Sequence, residues 1–312
     1  YWDYLGLAVA IAVATTVLLS LKLETDRLVR RITREDIRAT LKFAVVSAIV
    51  LPVLPRQGFG PPPVDVLNPY RVWLMVVFIS GISFLGYVLI KLVGARRGIG
   101  LTGLLGGLAS STAVTLSFAE RSHRGADLDR SLALAVMIAW TTMFPRVLVE
   151  VAALNSSLLR LLLPPMIAAA AVGAAYAAYL YFLERADTKE DVAFSNPFEL
   201  GPALKFGLIY AAVLLVSRAA QIYLGSPGIY VSSIVGGLAD ADAITLSMAE
   251  LSNESGGLDP GVAARAIVLA AMSNTLAKGG IVLASGSRGL RRALLPGFVL
   301  MLVVGLGTAF LF

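Results

Sequence analysis

The chain has no cysteine and only one histidine, His123, among 312 residues. The first absence excludes disulfides, thiol nucleophiles and Cys-ligated metals, and it leaves the redox compartment unread. The second excludes a His-rich metal site. His123 falls in a polar loop, so no Ser-His-Asp set can form around it. Charge is also scarce: 15% of residues, against roughly 25% in a soluble domain. No P-loop, GxSxG or HExxH is present, and GLTGLLGG at 100–107 is too apolar to cradle phosphate. Asp240 and Asp242 do not suit an intramembrane aspartic protease, which needs acids on two facing helices; here they lie two apart on one segment. Nothing points to an enzyme.

What the chain has is apolar length. It is 57% hydrophobic, its mean hydropathy is +0.80, and ten runs of about 20 residues can each cross a ~30 Å hydrocarbon layer. The fold class is all-α: a polytopic helical membrane protein with about ten transmembrane helices. The spans are expected at Tyr4–Ser20, Ala39–Leu54, Arg71–Val93, Ile99–Ala119, Arg130–Leu154, Leu158–Phe182, Leu200–Leu224, Ile229–Leu251, Gly261–Ala284 and Ala293–Phe312. The net charge of +6 then belongs to the loops and is no nucleic-acid signal. Leu21–Phe43, with seven basic residues, suits a helix on the membrane surface or a solvated basic loop. Alternating spans put Leu21–Lys42, Arg96/Arg97, Arg160 and Arg288/Arg291/Arg292 on one side, the cytoplasm, and both termini outside. Arg121, Arg124 and Arg130 run against that arrangement. The chain starts at Tyr1, and a preceding portion is expected.

At an offset of 130, GGLASSTAVTLSFAERS (Gly106–Ser122) returns as GGLADADAITLSMAELS (Gly236–Ser252), and Leu128-Asp129 returns as Leu258-Asp259. The organisation is two N-terminal helices with a basic connector (1–67), a first four-helix repeat (68–183), a polar linker (184–199) and a second repeat (200–312). Four spans is an even number, so the copies are expected to run the same way across the membrane, with the site at midplane where they meet.

Carboxylates at membrane depth cost about 2.5–3.5 kcal/mol each on insertion scales, so Asp240 and Asp242 are site candidates. Residues two apart on a helix point about 200° from each other. Both acids reach one cavity only if the helix opens, and Gly236-Gly237, like Gly106-Gly107, are the expected break. Carboxylates, hydroxyls and freed carbonyls are what hard cations prefer. The candidate cation or proton-relay set is Asp240, Asp242, Thr245, Ser110, Ser111, Thr112 and Asn274, with any metal on Asp240 and Asp242. Lys278 and Arg146 are the counter-charges; Lys278 is expected to pair with an Asp of the eighth span, and Arg146 is able to pair locally with Glu150. The competing reading leaves these acids in structural salt bridges and the serines in close helix packing. Glu120 and Glu250 read as solvated helix ends or mouth residues.

The paired GGLA motifs, with SNTLAKGG (Ser273–Gly280) and TREDIRATLKF (Thr33–Phe43), resemble the domain of unknown function usually found C-terminal to an MgtC/SapB domain in inner-membrane proteins. The resemblance implies an integral membrane protein without supplying an activity or a ligand set. The resulting expectation is a transporter or channel for a small cation, with a regulatory or assembly module as the alternative. Cofactors are none beyond a bound cation. The partners are membrane lipid, a small cation, a second copy of the chain and a preceding MgtC/SapB domain, and no nucleic acid.

Overall fold

The computed structural model describes Thr15 and residues 34–93, 99–124, 128–183, 200–253 and 257–310. The expected first span, the basic segment up to residue 33, the Arg96/Arg97 turn and the 184–199 linker lie outside the described residues. The chain divides into two units, Tyr1–Leu41 and Lys42–Phe312. Among the described residues every regular element is helical. Seven helices are long and apolar enough to cross a membrane. The expected second span is shorter, an apolar stretch at Thr40–Val53.

The helices are α1 (Arg34–Ala44), α2 (Pro69–Val93), α3 (Ile99–Arg121), α4 (Asp129–Thr141), α5 (Met143–Leu154), α6 (Leu159–Leu183), α7 (Leu200–Ala239), α8 (Ala241–Asn253), α9 (Pro260–Ser285) and α10 (Arg288–Ala309). A π-helical stretch, Val45–Val50, and a short turn, Leu51–Val53, follow α1. Val46 accepts a hydrogen bond from Trp73 Nε1 at 2.9 Å, which ties this stretch to α2.

Two of these helices are interrupted, and a third break lies between two of them. Ser110 interrupts α3 with φ −166° and ψ 105°. Gly225 interrupts α7 with φ 63° and ψ −149°, a left-handed φ that glycine tolerates. Asp240, which is not helical, separates α7 from α8.

At each interruption the chain doubles back. In α3, Gly103 packs on the Ala135 backbone and Gly107 on Ala139, so 99–109 runs alongside α4 in the same direction. A straight continuation would carry Arg121 about 36 Å past the start of α4. The seven residues 122–128 reach no more than about 26 Å. Instead 111–121 returns down α4, and Trp140 Nε1 donates to Thr115 Oγ1 at 2.8 Å.

At Gly225 the arms 200–224 and 226–239 lie side by side, and a methyl on Gly236 would come within 3.6 Å of Val213. At Asp240 the chain turns again. Gly236 and Ile244, equally far from Asp240 in sequence, are in contact. Glu250 Oε2 accepts from Tyr210 Oη at 2.6 Å, where a straight helix would have carried it about 16 Å beyond that level.

Half-helices of 11 to 14 residues span roughly 16–21 Å, enough to reach the middle of a bilayer and return. Each copy therefore holds three through-running helices and one hairpin of half-helices. Within the bundle the corresponding helices of the two copies run in opposite directions, where the sequence reading expected them parallel. The contacts agree. Val76 of α2 meets Gly207 of α7, while Asp65, in the turn just before α2, meets Arg218 of α7 at 3.3 Å, so those two helices are antiparallel. The loops after α3 and after α9, expected on opposite sides, touch: Ser287 N donates to Ser122 Oγ at 2.7 Å.

The glycines expected to open the helices do a different job. A methyl on Gly107 would run into Ala139, and one on Gly237 into the Ala270 backbone. They allow the half-helices to approach α4 and α9 closely. The core sits there, around Phe118, Ala135, Trp140, Phe144, Ala266 and Ala270, all at 0–1% exposure.

Candidate functional site

The two hairpin tips, Ser110 and Asp240, line one cavity of about 250 Å³. Both residues start a half-helix and cap it. Ser110 Oγ accepts from Ala113 N at 3.2 Å. Asp240 Oδ1 accepts from Asp242 N at 2.9 Å and Ala243 N at 3.2 Å. Asp and Ser are preferred at such positions because their side chains take up orphan N–H groups. The half-helices that arrive at the tips leave orphan carbonyls. Arg146 Nη1 reaches Leu108 O at 3.5 Å, and Asn274 Nδ2 donates to Gly237 O at 3.1 Å.

The cavity wall holds Ser110, Ser111, Thr112, Asp240, Asp242, Asn274 and Arg146 of the sequence candidates. Because the helix is broken at Asp240 itself, both acids line one space without any opening at Gly236-Gly237. Thr245 and Lys278 are not on the wall. Thr245 is fully buried and its hydroxyl has no partner among the described residues. Lys278 is 1% exposed, with Nζ 3.0 Å from the sulfur of Met143, which does line the cavity.

The expected pairing of Lys278 with an eighth-span acid is not present among the described residues. Asp242 pairs with Arg146, whose Nη2 contacts Asp242 Oδ2. Arg146 Nε also lies 3.3 Å from Glu150 Oε1, four residues on. The guanidinium thus sits between two carboxylates, its own side chain 12% exposed and that of Glu150 0%. Pairing in this way is what makes ions bearable in a low-dielectric interior. Among the described residues no group of three or more His, Cys, Asp or Glu is arranged to hold a metal ion.

Ser80, Ser83 and Phe206 also line the cavity. Sequence reasoning passed over them because α2 and the first arm of α7 carry no acid near these positions. Ser80 and Ser83 share a helix face at i, i+3, which was the available signal. Glu250 is no solvated end. It joins Arg71 (Nη1–Oε1 3.0 Å) and Tyr210. Arg218 pairs with Asp65 and Gln221.

A family model described as "Domain of unknown function (DUF4010)" matches residues 77–286. A protein of Aquifex aeolicus (strain VF5) that bears the name "Uncharacterized protein" is 35% identical over 193 residues, 61% of this chain and 84% of the relative. No solved structure matches. The matched family region contains both hairpin tips together with Arg146, Asn274 and Lys278, and the chain belongs to the DUF4010 family.

Proposed function

We propose that this chain is a membrane transport protein that binds a small cation in the cavity between Ser110 and Asp240. The observation that carries the reading is the meeting of two oppositely inserted, interrupted helices at one polar cavity, the arrangement by which inverted-repeat transporters build midplane sites. Three acidic residues (Asp240, Asp242, Glu150) stand with two basic ones (Arg146, Lys278) at and behind the cavity wall. Asp240 and Asp242 supply charged oxygens, and Ser110, Ser111, Thr112 and Asn274 supply neutral donors or acceptors. Arg146 acts as a resident counter-ion that the cargo competes with.

The orientation follows from charge. Arg121, Arg124, Arg130, Arg288, Arg291 and Arg292 all belong to the end where the Ser122 and Ser287 loops meet. The positive-inside rule makes that end cytoplasmic. Arg121, Arg124 and Arg130, which ran against the sequence-based arrangement, then join the cytoplasmic group, and Arg160, placed in it from the sequence, falls at the opposite end. A bacterial or archaeal inner membrane is the setting this implies.

Cation flux into proteoliposomes tests the proposal. An Asp240→Asn/Asp242→Asn protein is expected to lose flux while remaining monodisperse; unchanged flux removes these acids from the mechanism. A second reading, a regulatory or assembly module attached to an MgtC/SapB domain, draws on the tight Asp242–Arg146–Glu150 grouping. It predicts no flux from the unaltered protein for any monovalent cation.

A further inference from the structure

Behind the cavity wall several buried polar atoms lack partners. Glu150 is 0% exposed, and neither of its carboxylate oxygens has a hydrogen-bond partner among the described residues. Its ion pair with Arg146 is poorly aimed: Nε lies 3.3 Å from Oε1, yet Nε too is without a hydrogen bond. Thr245 Oγ1, also at 0% exposure, is a further orphan.

A threonine within a helix commonly returns its hydroxyl to the carbonyl three or four residues back. Thr115 holds the place of Thr245 in the first GGLA motif. It donates to Ser111 O at 2.7 Å and accepts from Trp140 Nε1 at 2.8 Å. Thr245 does neither.

These orphans gather in one place. Nε and Nη2 form one edge of the Arg146 guanidinium. Asp242, which touches Nη2, and Glu150, beside Nε, therefore stand side by side. Helices α5 and α8 pack against each other. Arg146 of α5 and Asp242 of α8 line the cavity, and from there both helices run towards the end opposite the arginine cluster. Glu150 follows Arg146 by four residues and Thr245 follows Asp242 by three. Each shares a face with its predecessor, about 4.5–6 Å farther along.

Burying a carboxylate without hydrogen bonds is costly. Carboxylate and hydroxyl oxygens that converge without N–H donors are a ligand set for a hard cation. A proton joins only two oxygens, whereas an ion contacts all of them at once. We propose that Asp242, Glu150 and Thr245 form an inner cation site beside the cavity, and that the Nε–Nη2 edge of Arg146 holds the cation's place in this structure. A monovalent alkali cation takes that place, one positive charge for another, when the guanidinium swings into the cavity it already lines. Glu150 and Thr245 thereby become ligands of the cargo, and Arg146 its tethered mimic. The purpose of the site rests on the transport reading above, but binding can be measured without flux.

Arg146→Met vacates the position without removing a ligand. The full chain in detergent is titrated with lithium, sodium or potassium chloride against choline chloride at equal ionic strength, and thermal unfolding is followed by tryptophan fluorescence. An alkali cation is expected to raise the Tm of Arg146→Met more than that of the parent. Adding Glu150→Gln should abolish the difference, whereas adding Asp240→Asn, which leaves the three ligands in place, should keep it. Thr245→Val serves in the otherwise unaltered chain, and decides the matter if Arg146→Met does not fold. It replaces an orphaned hydroxyl by a methyl, so stability in choline should not fall. The alkali concentration for half-maximal stabilisation should nevertheless rise severalfold, and Thr245→Ser should restore it. A merely structural Thr245 would not separate these two readouts.

The proposal is overturned if Arg146→Met responds equally with and without Glu150→Gln, if it responds to acid or magnesium but to no alkali cation, or if Thr245→Val titrates like the parent. Alkali flux by the parent without these cation effects removes the inner site and leaves the transport reading standing. The cation effects without flux do the reverse.

Discussion

Asp240 carries two duties that one substitution can separate. Its carboxylate caps α8 through two backbone N–H groups, at 2.9 and 3.2 Å, and it contributes charge to the cavity. The first copy performs the capping with Ser110, which is neutral. Asp240→Ser therefore keeps the cap and deletes the charge, whereas Asp240→Ala deletes both. Ser and Asp are nearly equivalent caps, and replacing either by Ala costs about 0.5–2 kcal/mol. The Asp240→Ser protein should match the parent stability to within about 0.5 kcal/mol. The Asp240→Ala protein should fall below Asp240→Ser by about 1 kcal/mol. Thermal unfolding in detergent, followed by tryptophan fluorescence, ranks the three; Trp140 reports because it lies fully buried against the first hairpin. Cation flux should be lost in both variants. If Asp240→Ala is as stable as Asp240→Ser, the capping argument is wrong. If Asp240→Ser transports like the parent, the charge argument is wrong, and each refutation leaves the other argument standing.

Other expectations use the same assays. Gly237→Ala drives a methyl into the Ala270 backbone and should destabilise by about 1–3 kcal/mol as overpacking, whereas Gly280→Ala, with open space around it, should change little. Arg146→Met leaves Asp242 and Glu150 facing each other without a cation and should cost about 3–5 kcal/mol; adding Asp242→Asn and Glu150→Gln should restore most of that loss, and additive losses would refute the coupling. Tyr210→Phe removes one hydrogen bond to Glu250 and should lower stability by about 1–2 kcal/mol, while Arg71→Ala, whose side chain is 55% exposed, should lower it by less than about 1 kcal/mol.

The sequence singled out the two stretches that line the cavity but read each as one straight span. Hydropathy counts residues along a window and is blind to reversal. Two half-helices of 11 residues around Ser110 look like one 23-residue span, so the repeat was read as four spans. The break itself was sought at the glycine pairs because glycine frees the backbone. Ser110 and Asp240 were the better signal: both are strong N-cap types, and Asp242 supplies an acid in the first turn of α8. Arg146 and Asp242 are 96 residues apart in sequence. Their pairing depends on α5 and α8 meeting, which no local pattern encodes. The cavity set was legible in part because buried polar residues are rare in such an apolar chain, so Asp240, Asp242, Ser110 and Asn274 stood out. Ser80 and Ser83 did not, being small and common in membrane helices.

A unit with three crossings cannot be copied in tandem without being turned upside down. Side of the membrane, and not place in the unit, must then decide where arginine is allowed. The borders of the two hairpins follow this: Arg121, Arg124 and Arg130 of the first copy become Leu251, Glu254 and Pro260 in the second. Further on the register shifts to 132, where Arg292–Gly297 (RALLPG) answers Arg160–Pro165 (RLLLPP) and Arg292 keeps Arg160 as its counterpart. On the orientation proposed above, the hairpin sequences stayed alike while the arginines at their borders followed the side of the membrane.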